Sequence, residues 1–399
     1  MPEVADTAVA GTAIADTAAA DIVIVGGGPV GSALALALRD SGLRIVLLEA
    51  RAAGGGDARP LALSYGSRLI LERLGVWPAL AALATPIRNI HVSQRGGFGR
   101  VSLTAVEAGF PELGYVVDYG RVAQALAQAA AATSAQCLTG ARVTATHGDD
   151  PARVAYESAG ERHELTAALV ALADGGAAGE SATEAIDYQQ CAVTARVVSE
   201  CPHNNTAYER FTAHGPLALL PDSKDEGNGW ALVWTTTPDH ARQLCAMAPD
   251  IFLGELRTAF GGRVGDFSAV NGRAAYPLQR RRAQQATDHI VLIGNAAQTL
   301  HPVAGQGFNL GLRDAWELAE QINSRPIGEL GSRAWLDVYQ VRRRVDRSAG
   351  LGFTHALVEL FSNDLLPLRL VRGTGLALLG SIPPLKKFLI RRMTFGARG

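Results

Sequence analysis

Asp21-Ile22-Val23-Ile24-Val25-Gly26-Gly27-Gly28-Pro29-Val30-Gly31 is the stretch on which the reading of this chain turns. Its first five residues form a short β-branched run, the pattern of a strand buried on both faces. Ser32 to Arg39 is rich in Ala and Leu and reads as a helix, and Arg44-Ile-Val-Leu-Leu-Glu49 reads as the next strand. Together they make a β-α-β unit with Gly-x-Gly-x-x-Gly in its first turn. Gly26 permits the tight turn, Gly28 lets backbone approach a pyrophosphate, and Gly31 lets the helix sit close on the sheet. The free N–H groups of the helix N-terminus favour an anion. Glu49 falls about 20 residues further on, where a carboxylate can accept ribose hydroxyls. This predicts a dinucleotide site and leaves NAD and FAD both open.

The rest of the chain narrows the choice. Its 399 residues suggest one large or two interleaved domains. With 48% hydrophobic and 19% charged residues, disorder is excluded for the body and a sizeable core is assured. A net charge of −1 gives no reason to expect nucleic acid as a partner. Lysine occurs only at Lys224, Lys386 and Lys387, never after glycine and before Ser or Thr, so a Walker-type loop is excluded. Cys137, Cys191, Cys201 and Cys245 lack metal-type spacing and read as inert thiols of a reduced, cytoplasmic protein. The histidines form no ligand pattern, so no metal is expected. Residues 1–20 read as a flexible tail without the positive start of a signal peptide. No stretch is long and apolar enough to read as a membrane span.

Charge is unevenly placed. After Asp364 there is no acidic residue, while Arg369, Arg372, Lys386, Lys387, Arg391, Arg392 and Arg398 are basic. Leu385, Phe388 and Leu389 among them have helical spacing. Two readings stand: a terminal helix packed on its own domain, or contact with an anionic membrane surface or acidic partner.

Along the chain, Arg121 to Ala132 reads as a helix and Leu169 to Ala173 as a buried strand ending at Asp174-Gly175-Gly176. Gln190 to Val198, Glu209 to Thr212, Leu217 to Leu220 and Trp230 to Thr236 read as strands of an inserted antiparallel sheet. Trp230 and Trp234 share one face of it, which favours core packing over contact with substrate. Arg342-Arg343-Arg344 reads as a solvated helix face. Asp288 to Gly294 returns as a strand, followed by Asn295-Ala-Ala-Gln-Thr-Leu-His301-Pro302-Val-Ala-Gly305-Gln306-Gly307-Phe308-Asn309 and a helix over 311–322. A polar residue at a strand end and a Gly-x-Gly loop entering a helix form a second cradle. NAD has no need of one, whereas FAD, with a dinucleotide at one end and a polar ring at the other, does. Helix N–H groups near Gly307 would stabilise negative charge on the reduced ring.

These motifs resemble the aromatic flavin monooxygenases of the para-hydroxybenzoate hydroxylase fold, and within them the ubiquinone-biosynthesis hydroxylases. The resemblance covers roughly residues 21–399. It rests on the glycine fingerprint with Glu49, on Asp57-Ala-Arg59-Pro-Leu-Ala-Leu-Ser64, on Asp174-Gly175, and on Gly294 to Pro302 with Ala304 to Asn309. Phe211 to Pro221 adds a subfamily signature in the inserted sheet. The fold implied is α/β: a Rossmann-like FAD-binding domain, an antiparallel substrate domain inserted in it, and C-terminal helices. The FAD-binding domain would comprise 21–90, 115–182 and 276–347, and the substrate domain 91–114 and 183–275. A basic helical region would follow over 348–399.

By resemblance, Arg59 and Arg121 contact FAD, Asp174 and Gly175 serve both FAD and NAD(P)H, and Gly294 and Asn295 meet the ribitol. Asn295 stands where the wider family usually has Asp. Pro302 lies at the substrate-facing edge of the flavin, and Gly305, Gln306, Gly307, Phe308 and Asn309 cup the ring. His301 and His214 are candidates for the substrate side, with loop-orienting or structural roles as the alternatives. The family's Ser and Arg after Asp174-Gly175 are replaced by Ala178 and Ser181, which weakens the expectation of a standard nicotinamide phosphate contact. The implied reaction is hydroxylation of a polyprenyl phenol of the 2-polyprenyl-6-methoxyphenol type, by NAD(P)H-reduced FAD and O2 through a C4a-hydroperoxyflavin. Another ring position, a flavin reductase and a non-catalytic flavin-binding subunit are the alternatives. Other proteins of ubiquinone biosynthesis and the inner-membrane surface are the expected partners.

Overall fold

A computed structural model describes residues 19–52, 59–97, 99–176, 183–212, 215–283, 287–299, 306–361, 374–375 and 378–396. Strand β1 (Ala19–Val25) lies at the centre of the first sheet, its residues 22–25 almost wholly buried. It pairs in parallel with β2 (Ile45–Glu49) on one side and with β11 (Glu161–Leu172) on the other. Outside these, β8 (Gln136–Thr139) pairs in parallel with β2, and β17 (Ile290–Leu292) with β11. The antiparallel strands β9 (Arg142–His147) and β10 (Ala152–Ser158) extend the β11 side. Helix α1 (Pro29–Ala37) joins β1 to β2 and packs against α5 (Tyr119–Ala131) and α8 (Gln306–Asn323). Pro29 at its first turn and the Ala/Leu run of a buried helix account for α1.

The second sheet has the order β6 (Arg100–Thr104), β5 (Asn89–Gln94), β13 (Thr206–Thr212), β14 (Gly215–Asp222), β15 (Gly229–Thr236), β12 (Thr183–Ser199), β16 (Phe267–Ala283), β18 (Gln298–Thr299). All its pairs are antiparallel except β13 with β5. A small third sheet joins β3 (Pro60–Ser64), β7 (Gly114–Asp118) and β4 (Thr85–Ile87). The expected α/β fold with an inserted sheet is therefore present, with different limits. The second sheet takes in β5 from Asn89, runs past residue 275 to Ala283, and regains Gln298–Thr299 from the loop of the second cradle. Main-chain pairing along the whole of β12 and β16 holds Arg280–Arg282 in the ladder, although an arginine run reads locally as a linker. Helix α9 (Arg333–Phe361) crosses the expected boundary at 347/348.

Period-two alternation gives the second sheet two unlike faces. Val193, Val197, Leu217, Leu219, Trp230, Leu232 and Trp234 pack under α6 (Pro238–Ala246) and α7 (Pro249–Phe260), with Phe252, Leu256 and Phe260. Both tryptophans are thus core, as their shared face suggested, and Trp230 Nε1 donates to Ser199 Oγ at 2.7 Å. The intervening residues, among them Ala192, Thr194, Ala207, Ala218, Val233 and Thr235, face a cavity. Large side chains on one face and small ones on the other leave room where a ligand can enter.

Arg343 is a correction. It is buried, not solvated, and its Nε donates to Asp314 Oδ1 at 2.6 Å. Its Nη1 reaches Glu317 at 2.7 Å and Asp346 at 2.9 Å. Arg347 Nη2 meets the other Asp314 oxygen at 3.1 Å. Burial raises the Asp314 carboxyl, but Arg347, Arg343 and hydrogen bonds outweigh it and hold it below the usual carboxylate range. Three consecutive residues span about 200° of a helix, and here the middle arginine meets α8.

Candidate functional site

The site residues gather where the parallel strands end. Gly26 follows β1, Glu49 ends β2, Asp174 follows β11 and Asn295 follows β17. These are carboxyl ends of adjacent parallel strands around the point where connections leave β1 in opposite directions, the usual crevice of such sheets. Gly26 has φ +103°, and a Cβ there would lie 2.7 Å from Asp174 Cα, so its turn is pressed onto the β11 turn. A Cβ on Gly31 would lie 2.0 Å from the Gly26 carbonyl oxygen. Around Gly28, by contrast, no atom of the other described residues lies within 4 Å of a built Cβ. No side chain caps α1, whose first N–H groups are left for a ligand.

Glu49 Oε2 accepts the Gly27 N–H at 2.7 Å, and Oε1 accepts the Arg51 N–H at 2.9 Å and its Nε at 3.0 Å. Oε2, with a single donor, keeps acceptor capacity toward the cavity. Asp174 Oδ1 accepts the Gly176 N–H at 2.9 Å. The Arg59 guanidinium lies over the rings of Tyr119 and Tyr276, 5.4 and 5.0 Å from their centroids. At the second cradle, Gly294 donates its N–H to Asp314 Oδ2 at 3.0 Å, which ties the strand end to the buried ion cluster.

One cavity of about 1080 Å³ connects these groups. It is lined by Gly26, Gly28, Glu49, Arg59, Asp174, Gly175, Asn295, Gly307 and Phe308, and continues between the open face of the second sheet and the C-terminal helix. Ile87, Ile90, Val92, Leu103, Phe211 and Leu220 make that end apolar. Its volume is at the top of the ordinary range for one small ligand. An open glycine position, an uncapped helix start, a strand-end carboxylate and a second cradle on the same cavity fit an FAD with room for a substrate beside it.

Four residues of the expected cofactor set, Arg121, Gly31, Gly294 and Asn309, do not line this cavity. Arg121 is exposed on α5 and does not line the cavity. Gly31 and Gly294 act through packing, against the Gly26 carbonyl and the Val30 side chain. Asn309 is buried: its Oδ1 accepts the Ser64 N–H at 2.8 Å and its Nδ2 donates to Ala62 O at 2.9 Å. It clamps α8 to β3, whose entry carries Arg59. His214, His301, Pro302, Gly305, Ala178, Ser181 and the glycines at 54–56 lie outside the described residues, as does the side chain of Gln306. Among the described residues there is no cluster able to hold a metal, and the four cysteines are free.

The sequence reading missed Glu209, which stands on β13 in the apolar end of the cavity. The only local signal was a carboxylate between Ala207 and Phe211 at alternate positions of a strand. It also missed the Asp314–Arg343 cluster, whose members are 29 residues apart and on different helices.

Helix α10 (Pro383–Phe395) also differs from the expected stripe. Lys386, Ile390 and Thr394 are buried, and Lys386 Nζ pairs with Glu107 at 2.7 Å. Leu389 and Met393 line the cavity, while Leu385 and Phe388 are exposed. The helix therefore packs on its own domain and still presents two large apolar side chains outward.

A family profile described as FAD binding domain matches residues 19–349. Over 384 residues the chain is 36% identical to ubiquinone hydroxylase UbiL of Rhodospirillum rubrum, covering 93% of this chain and 88% of that one. It is 34% identical to the 3-demethoxyubiquinol 3-hydroxylase of Escherichia coli, over 89% of this chain and 93% of the relative. Among solved structures, p-nitrophenol 4-monooxygenase from Pseudomonas putida matches 96% of this chain and all of its own, with TM-score 0.77 and 19% identity.

Proposed function

Since this chain belongs to the FAD-dependent hydroxylases of ubiquinone biosynthesis, monooxygenases that use NAD(P)H and O2, we propose that its substrate is a polyprenyl phenol of the 2-polyprenyl-6-methoxyphenol type. The observation that carries this reading is the continuity of one cavity, polar at the glycine loop and apolar at the second sheet. The polar end suits the cofactor: the Gly28 turn and α1 N-terminus for the pyrophosphate, Glu49 for the ribose, and Arg59, Asp174 and Gly175 beside them. Asn295, Gly307 and Phe308 would hold the ribitol and ring. When bound, FAD supplies the redox chemistry, taking reducing equivalents from NAD(P)H and activating O2. The chain's own part is to orient the phenol ring, exclude water with the small and branched side chains of the sheet, and control the phenol proton.

The C-terminal helix supports a membrane-borne substrate. Leu389 and Met393 face the cavity while Leu385 and Phe388 face out beside Lys387 and Arg391. A helix with one face on the chamber and the other apolar and basic suits an anionic bilayer surface. Among the described residues no helix is long and apolar enough to cross a membrane.

Purified holoprotein incubated with NAD(P)H, ¹⁸O2 and a short-chain polyprenyl methoxyphenol tests the substrate. Stimulated NAD(P)H oxidation with one labelled ring oxygen in the product is expected. Oxidation that ignores the phenol, or yields only peroxide, would reject this substrate.

A further inference from the structure

Strand β13 turns Ala207, Glu209 and Phe211 into the chamber. Tyr208 packs the other way, 5.6 Å by ring centroids from both Trp230 and Phe260. In the ladder, Glu209 sits beside Ala218 of β14 and Val92 of β5, neither of which can pair with a carboxylate. Among the described residues the Glu209 carboxylate has no hydrogen-bond or ion-pair partner. Its accessible surface opens into the chamber, since a strand residue with paired neighbours on both sides has no route to bulk water along the sheet. A bare carboxylate in an apolar chamber carries a desolvation cost that most proteins avoid. A ligand that donates a proton or hydrogen bond there removes it.

We propose that Glu209 is the acceptor of the phenolic proton of the substrate, and so a catalytic residue of the hydroxylation. This rests on the phenol reading above. In the step, the phenol O–H bond breaks, the proton passes to a Glu209 carboxylate oxygen, and the electron pair stays on the phenolate. That charge delocalises into the ring and makes the carbon ortho or para to it a better nucleophile toward the activated oxygen supplied by the enzyme's own cofactor and O2. Once oxygen is inserted, that carbon loses its hydrogen as a proton and the ring oxygen regains one, so Glu209 returns to its starting state.

Burial pushes the Glu209 carboxyl up to about 7, close to the working pH, where a general base is most effective. Among the described residues no charged group faces it from its neighbours. The inward residues of β14 are Pro216, Ala218 and Leu220, those of β5 are Ile90 and Val92, and α10 gives Leu389 and Met393. The titratable groups nearby cluster elsewhere: Arg263 Nη1 lies 3.1 Å from His91 Nε2, and the His91 ring meets Tyr208 at a tilt, 5.6 Å between centroids. Burial and then Arg263 lower Arg210, whose guanidinium lies near Gly261 after α7.

The test compares wild type and Glu209→Gln as FAD-loaded enzymes, reading ring hydroxylation of a short-chain polyprenyl methoxyphenol from pH 5.5 to 10. Wild type should show a limb near pH 7. The variant should keep its FAD, lose about 100-fold in hydroxylation at pH 7, and regain rate toward the phenol's own pKa of about 10. An unchanged limb in the variant overturns the proposal. If wild type does not hydroxylate the phenol at any pH, it is the substrate reading that has failed. Should the variant fold poorly, difference spectra of the phenol bound to wild type decide. Phenolate absorbance rising near pH 7 supports Glu209, and a rise only near 10 refutes it.

Discussion

At the glycine-loop end of the cavity the acids are held by the protein itself, whereas at the sheet end one acid is left bare. Glu49 takes the Gly27 N–H and the backbone N–H and Nε of Arg51, and Asp314 takes the Gly294 N–H with Arg343 and Arg347 around it. Glu209 has Ala218 and Val92 as ladder neighbours, and its carboxylate has no partner among the described residues. The first arrangement fixes a backbone shape that can receive a large cofactor without rearranging. The second leaves an interaction for the substrate to complete. Rigid polar support and an unsatisfied polar group thus divide holding the cofactor from handling the substrate.

The sharpest break in this comparison is at the first end. Gly31→Leu places its Cβ on the Gly26 carbonyl, 2.0 Å away before any further atom is added. It should abolish folded, flavin-loaded protein, read from flavin absorbance per mole and near-UV circular dichroism. Gly28→Glu has free space on the protein side; it should leave the fold intact and expel FAD, because the new carboxylate enters the pyrophosphate site. If Gly28→Glu unfolds the chain as Gly31→Leu does, the space at Gly28 is not a ligand site.

Smaller is the effect of Arg343→Met, which removes the buried guanidinium shared by Asp314, Glu317 and Asp346. The loss should be about 3–5 kcal/mol by denaturant unfolding. Asp314 is held below its unfolded value of about 3.9. Its contribution is therefore present above that value and lost as pH falls through the lower, folded one. Wild type should lose this contribution on acidification, and the variant should show a correspondingly shallower acid limb.

The smallest effect should be that of Ala218→Leu, which fills chamber space beside Glu209 without touching the cradle. A fall in kcat/KM of about tenfold for a prenylated phenol is expected, with FAD content unchanged. Equal loss of flavin would mean that the two ends are not separable.

Much of the cradle was legible because its chemistry is contiguous. Gly26, Gly28, Gly31 and Glu49 belong to one β-α-β unit, and Asn295, Gly307 and Phe308 to one loop and helix start, so spacing along the chain reports geometry. Asn309 belonged to the same motif yet serves a clamp, because its side chain is turned by α8 onto β3. Arg343 looked solvated because a run of three arginines gives no sign of which one meets a carboxylate on another helix. Glu209 was hidden for a related reason. Alternation placed it on a strand face, but which face is empty depends on where α6 and α7 lie.

The sequence by itself determined the parallel β-α-β core, its glycine turn and the family to which they belong, since short-range backbone demands leave marks at fixed spacing. Only the tertiary structure decided that the second sheet reclaims residues 276–283 and 298–299, that Asp314, paired with Arg343, holds the Gly294 N–H, and that the Glu209 carboxylate faces an apolar chamber with no partner among the described residues. Those facts depend on which distant side chains share a dielectric and which do not. Burial and pairing across the fold settle that, and no local pattern encodes it.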